Sequence, residues 1–172
     1  MAGTRRECVI LDTSVLINFL AIDQARLLLA HPDFEFILTD HVRLEVNQHY
    51  SDEFTRLDAM LATGGIRQIT VNSLEELEIF GKLALERRLG AGECAAIAVA
   101  IHRRCRIAID DQAAIKHLQR LYPETPVETT QTLIVGLIKS GVLTVKQADD
   151  FKERWQNEHR FRLPFQSFRE LL

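Results

Sequence analysis

The chain has 172 residues, 47% of them hydrophobic and 26% charged, which is enough apolar content to bury the core of a single domain and excludes a disordered chain. A formal net charge of -3 and a pI near 6.1 exclude a protein that holds nucleic acid by overall charge, because tight phosphate binding ordinarily leaves a basic surplus. Cys8, Cys94 and Cys105 are scattered through apolar segments, with neither the even count of a disulfide framework nor a CxxC metal spacing, and read as reduced core residues.

At the start of the chain, MAGTRRE followed by CVILDTSVLINFL has the outline of a signal peptide. Asp12 and Asn18 interrupt the apolar run and no small-residue cleavage site follows, so a cytoplasmic location is expected. No stretch approaches the roughly 18 to 20 apolar residues needed to cross a bilayer. Short β-branched runs then alternate with helical patterns. CVIL precedes a helix from about Ser14, FEFILT a helix from Asp40, IRQITV a helix from Ser73, and RIAI a helix from Gln112. That alternation predicts a parallel α/β fold. CVIL and RIAI are apolar throughout, as strands covered on both faces are, and are the expected central strands.

Helix signals support this frame. Ser73 with Glu76, and Thr144 with Gln147, each form a capping-box pattern, and Gly90 follows the basic turn Glu86 to Arg88 as a helix stop. GAGECAAIAVAIHRR is a small-residue helix able to lie close on a sheet, with Glu93 in its first turn and its carboxylate near a strand end. YPETPVETT carries a short edge strand at Val127 to Thr129, followed by the helix TQTLIVGLIKSG. Residues 144–172 are expected to form an amphipathic helix and an aromatic tail (Phe161, Phe165, Phe168) that docks on the body or on a partner. No linker or internal repeat divides residues 1–172.

Five carboxylates fall where strands end or helices begin: Asp12, Glu45, Glu93, Asp110 and Asp111. In open α/β sheets such positions converge beyond the carboxyl ends of the strands. Acids gathered there repel one another unless a cation neutralises them. An all-oxygen set without histidine or cysteine suits Mg2+ or Mn2+ rather than zinc. One or two such ions would activate water and stabilise the leaving oxygen of an in-line displacement, so the residues point to metal-assisted phosphodiester hydrolysis. The hydroxyls of Thr13 and Ser14 are placed to cap the next helix or to bond the Asp12 carboxylate, capping being the preferred role.

ILDTSVLINFL, TDHVRLEV, LGAGECAAIAVA and AIDDQAAIKHL, in that order, resemble the PIN-domain nucleases, especially the compact proteins that include VapC-type toxins. The resemblance runs from Val9 to about Gly141. It implies a three-layer α/β/α sandwich with a mainly parallel sheet, a Mg2+ or Mn2+ site and cleavage of RNA. By position it places Asp12, Glu45 and Glu93 at the first three acidic sites. The fourth falls at Asp111, by a T-x-D pattern whose Thr is absent here, or at Asp110. Asp12, Glu45, Glu93 and Asp111 are thus the implied catalytic set, and Asp12, Glu93, Asp110 and Asp111 the implied metal ligands. The resemblance also implies a toxin held by a small antitoxin protein, through the Ile115 to Leu121 face or the aromatic tail, and a homodimer.

Each acidic residue also has a plainer reading. Asp12 can be only a helix cap, Glu45 a solvated helix glutamate paired with Arg43, and Glu93 a favourable charge at a helix N-terminus. The six histidines show no ligand spacing and read as surface or satisfied polar residues. Arg87, Arg88, Arg103, Arg104, Arg106, Lys116 and Arg120 can contact phosphates, but a charge run more often forms a solvated face. Two other functions compete. One is a PIN-like module that binds RNA or protein without cutting. The other is a phosphoryl-accepting site built on Asp12, Asp110 and Asp111, against which DTS lacks the second Asp of a DxD motif.

Overall fold

A computed structural model describes residues 6–86 and 88–172. Met1 to Arg5 and Arg87, part of the candidate leader and of the candidate phosphate contacts, lie outside the described residues. Five strands, β1 (Glu7–Leu11), β2 (Phe34–Thr39), β3 (Arg67–Ile69), β4 (Arg106–Ala108) and β5 (Val127–Glu128), form one sheet in the order β3-β2-β1-β4-β5. Every pairing is parallel. CVIL and RIAI lie inside the sheet, with β1 at its centre. Chain order runs outward from β1 to β3 and then crosses to β4, so the sheet has its switch point between β1 and β4.

Successive strand residues point to opposite faces, and the core divides accordingly. Val9, Leu11, Phe36, Leu38 and Ala108 join one buried cluster, and Ile10, Ile37, Ile107 and Ile109 join the other. The first is covered by α1 (Thr13–Ala21), α2 (Arg26–Leu29), α3 (Asp40–His49), α4 (Ser51–Ala62), α8 (Thr130–Lys139) and α9 (Val145–Glu158). The second is covered by α5 (Leu74–Leu85), α6 (Ala91–Arg103) and α7 (Gln112–Leu121). This is the parallel α/β fold that the alternating pattern predicts, in the three-layer α/β/α form that the family resemblance implies. The alanines of α6 are buried from Ala95 through Ala100, because side chains this small let the helix lie close on the strands.

The capping boxes at Ser73–Glu76 and Thr144–Gln147 are present. Two local readings change. The helix after FEFILT is two helices, broken at Tyr50, whose backbone (φ -140, ψ 72) leaves the helical region. Gly90 is not a left-handed stop for α5. Its φ of -71 and ψ of 164 make it the N-cap of α6.

Trp155, Phe168 and the partly buried Phe161 and Phe165 pack into the first cluster. The apolar face of α7, with Ile115 and Leu118, is buried in the second. Neither is the free docking face that the sequence offered for an antitoxin. Of the histidines, His31 and His117 are buried. His31 stacks on Phe34 with ring centroids 4.4 Å apart, accepts the Asp33 N–H at Nδ1, and faces α8 at Gly136, where an added Cβ would stand 2.9 Å from its Nε2.

The last carbonyls of α1 have no partner within the helix and must find one elsewhere. Trp155 Nε1 donates to the Asn18 carbonyl at 2.6 Å, and Arg56 donates to Leu20 O at 2.6 Å. The C-terminal helix thereby closes the end of the helix that begins at Asp12. Trp155→Phe, which strands a buried carbonyl, is expected to destabilise the protein by about 1–3 kcal/mol in urea unfolding; an unchanged midpoint would show that this bond contributes nothing.

Candidate metal centre

β1 delivers Asp12 to the carboxyl edge of the sheet beside β4, where the Asp12 N–H donates to Ala108 O at 2.9 Å. The residue is 1% exposed. Its Oδ2 accepts from the Ser14 N–H at 2.9 Å and from the Ser14 hydroxyl at 2.5 Å, so Asp12 itself caps α1. Its Oδ1 is buried and has no hydrogen-bond partner. A buried carboxylate oxygen without a partner costs heavily in water-free surroundings, and helix capping leaves this second oxygen unexplained.

Thr13 and Ser14, expected to cap the helix through their hydroxyls, do otherwise. Thr13 Oγ1 donates to Glu45 Oε2 at 3.0 Å, fixing the α3 carboxylate against the start of α1. Ser14 Oγ, besides donating to Asp12, accepts the Asp110 N–H at 3.0 Å and so ties the ends of β1 and β4 together. Both hydroxyls are spent on orienting acids, because Asp12 has taken the capping position.

Glu93 reaches the same region from the first turn of α6. One oxygen accepts the Gly90 N–H at 2.8 Å. Asp111 caps α7 through Oδ1, which accepts the Ala114 N–H at 2.7 Å. Burial pushes Asp12 up to about 6, opposed by the Ser14 hydrogen bonds and reinforced by the charge on Glu45. Burial pushes Glu93 up to about 7, offset by the Gly90 N–H and reinforced by the charges of Asp12, Asp111 and Glu45. Asp12, Glu45, Glu93 and Asp111 therefore share one electrostatic neighbourhood.

Asp110 faces elsewhere. Its Oδ1 accepts the Thr130 N–H at 2.9 Å, and its Oδ2 accepts from the Thr130 hydroxyl at 2.5 Å and from Asn18 Nδ2 at 2.9 Å. Burial raises its pKa, with these three bonds opposing the rise. The two adjacent aspartates are thus separated in role: Asp110 locks α1 and α8 to the end of β4, while Asp111 presents its charge toward Glu93.

Three further residues shape the site. An added Cβ at Gly92 would collide with the Glu45 carboxylate and press on Thr13 Oγ1 at 3.4 Å, so α6 carries a glycine where α3 and α1 converge. Asn18 and Thr130 hold Asp110. Asn18 lies one turn after Ser14, a spacing that puts the two side chains on one face of α1; that register is the signal by which Asn18 could have been found. Nothing in the sequence near Thr130 indicates its partner across the sheet.

All-oxygen donors, mutually repelling acids and the orphaned Asp12 Oδ1 fit a small hard cation. Among the described residues no three of the acidic, histidine or cysteine side chains converge to enclose an ion by themselves. A cation held here would keep several waters, as Mg2+ does by preference. Of the described basic candidates, Arg103 pairs with Glu76 at 2.6 Å, Arg106 with Glu7 and Glu128, and Arg120 with Glu86, so these three serve ion pairs.

A family model described as PIN domain matches residues 8–172, and the chain belongs to the PIN-domain family, whose members are generally nucleases. The solved structure of PAE2754 from Pyrobaculum aerophilum is similar, with a TM-score of 0.52 at 15% identity over 81% of this chain and 94% of that one; at that identity the likeness concerns the fold. VapBC2 from Rickettsia felis, crystallised with a DNA fragment from its promoter, aligns at 14% identity and a TM-score of 0.48 over 71% of this chain and 98% of that one. No curated protein matches the chain in sequence. No helix among the described residues is long and apolar enough to cross a membrane.

Asp12 gives the site a pH signature. The unfolded chain releases this proton near 3.8, the folded protein near 6. Between those values the native state binds more protons, so without divalent ions its stability falls as pH rises through the interval. Asp12→Asn keeps the cap and cannot ionise. At about pH 7.5 without divalent ions it is expected to be more stable than the parent by about 3 kcal/mol, and at about pH 3 equal to it, in urea unfolding. Equal stability at both pH values would mean that Asp12 carries no electrostatic strain.

Proposed function

We propose that the protein is a Mg2+- or Mn2+-dependent endoribonuclease acting in the cytoplasm as the toxin of a toxin-antitoxin pair. The observation that carries this reading is Asp12 Oδ1, buried, unpartnered and set among the charges of Glu45, Glu93 and Asp111. A divalent ion held there would supply an activated water and a positive charge against the scissile phosphate. The remaining tasks fall to the chain. Asp12 and Glu93 would present oxygens to such a cation, which would offset the repulsion between them. Thr13 holds Glu45 in place, and Glu45 is the candidate to accept the proton of an attacking water. Asp111 completes the acidic set through the oxygen that does not cap α7, while Asp110, with both oxygens engaged, fixes the end of β4.

The toxin role, an antitoxin partner and a homodimer come with the family resemblance. A cavity of about 260 Å³ lined by His41, Leu44, Glu45, His49 and Gly92 borders the acids, and Leu44 there is 53% exposed. An antitoxin segment with an apolar side chain for Leu44 and a cation for Glu45 fits that entrance better than the buried α7 face or tail. The second reading, a PIN-like module that binds RNA or protein without cutting, draws support from the lack of three converging ligands among the described residues.

An RNA cleavage assay separates the two. With Mn2+ the purified chain is expected to cut structured and single-stranded RNAs, and Asp12→Asn and Glu93→Gln each to slow cleavage by about 100-fold or more while keeping the far-UV circular dichroism of the parent. Intact RNAs at high metal, from protein freed of any partner, would select the binding module.

A further inference from the structure

At the opposite end of the strands from the acids, the sheet brings two cysteines side by side. β1 and β4 pair in parallel with Val9 opposite Arg106; Cys8 and Cys105 each stand one residue before that pair, Cys105 just outside β4 where its N–H still closes the end of α6 on Ala100 O at 2.9 Å. Paired residues on neighbouring strands lie about 5 Å apart, and continuing the register one residue past its last pair keeps the two cysteines near the roughly 4.4–6.8 Å between Cα atoms that a disulfide accepts. Both side chains lie on the same face, packed with the α5–α6–α7 cluster. All three cysteines are free thiols.

We propose that Cys8 and Cys105 form a reversible redox pair, joined by peroxide into an intramolecular disulfide that staples β1 to β4. The reading goes beyond the nuclease proposal and does not depend on it. Cys105 is the attacking sulfur. The adjacent Cys8 thiol and the Arg103 and Arg67 guanidinium groups favour its thiolate against burial and the Glu35 charge, whereas Cys8 is held in the thiol form by the neighbouring Cys105 and by burial; the Cys105 thiol donates to Arg103 O at 3.8 Å. Cys105 also lines a cavity of about 530 Å³ with Arg104, Glu124 and Pro126, and Cys8 is only partly buried, so a small oxidant has a route to the pair. Cys105 is itself buried, at 7% exposed, and Cys94 in α6 more so, at 1%.

The chemistry balances with hydrogen peroxide as the only co-reactant. Cys105 thiolate attacks one peroxide oxygen, the O–O bond breaks, and the sulfenic acid forms with loss of hydroxide. Cys8 sulfur then attacks the sulfenic sulfur, the S–O bond breaks, and its oxygen leaves as water. The hydroxide takes up the proton first released by Cys105, so two thiols and one peroxide give one disulfide and two waters. Because the link joins distant parts of the chain, it removes a large share of the unfolded chain's freedom.

The test treats the folded full chain with hydrogen peroxide, blocks free thiols under denaturing conditions and maps the peptides. The expected result is loss of two thiols of three, a linked peptide pair containing Cys8 and Cys105, full recovery by dithiothreitol, and a Tm raised by about 5–15 °C before reduction. Cys94→Ser should behave as the parent. Cys8→Ser and Cys105→Ser should lose the linked pair, and Cys8→Ser should instead trap a dimedone-reactive sulfenic acid at position 105. Three blockable thiols after peroxide, a link through Cys94 or a link between chains would overturn the proposal.

Discussion

The structure depends on one carboxylate held half-satisfied. Asp12 ends the central strand, begins α1, and is almost fully buried; one of its oxygens is spent on Ser14, and the other has no partner. A single helix cap does not need such an arrangement, since an exposed Ser, Asn or Asp caps equally well without losing water. The cost makes sense where the free oxygen meets a charge of opposite sign. Every neighbouring feature works in the same direction: Thr13 turns Glu45 inward, Gly92 leaves room for it, and the first turn of α6 brings Glu93.

Around this carboxylate the chain has built a frame of hydrogen bonds that reaches its own far end. Ser14 joins Asp12 to the backbone of Asp110, and Asp110 joins β4 to Thr130 and Asn18. The carbonyl of Asn18 receives the indole N–H of Trp155. Asp149 in turn accepts from the Phe168 N–H and the Ser167 hydroxyl, which anchors the aromatic tail on α9. The C-terminal helix and tail thus support the helix that carries the site, and the apolar rings fill the core below it.

Much of this was legible in the sequence because burial writes itself into local patterns. CVIL and RIAI read as doubly covered strands, and the alternation with helices fixed a parallel sheet whose carboxyl edge had to gather Asp12, Glu93 and the Asp110–Asp111 pair. What escaped depends on contacts between residues far apart in the chain. The different orientations of Asp110 and Asp111 are set by Thr130 and Asn18, 20 and 92 residues away from Asp110. The use of Thr13 for Glu45 spans 32 residues. The break at Tyr50 leaves no mark in the sequence, because the polar segment on either side of it carries a continuous helical character with no Gly or Pro at the stop. Cys8 and Cys105, 97 residues apart, come together only through the pairing of β1 with β4, which puts both in one cluster.

The central claim is that a hard divalent cation occupies the space in front of Asp12 Oδ1. Crystals soaked in Mn2+ and measured for anomalous scattering test it most directly. The account predicts one strong peak within coordination distance, about 2.1–2.3 Å, of Asp12 Oδ1, with Glu93 or Asp111 contributing directly or through a water, and its loss in Asp12→Asn. A featureless pocket at millimolar Mn2+, or a peak on Asp110 with Asp12 uninvolved, would contradict it.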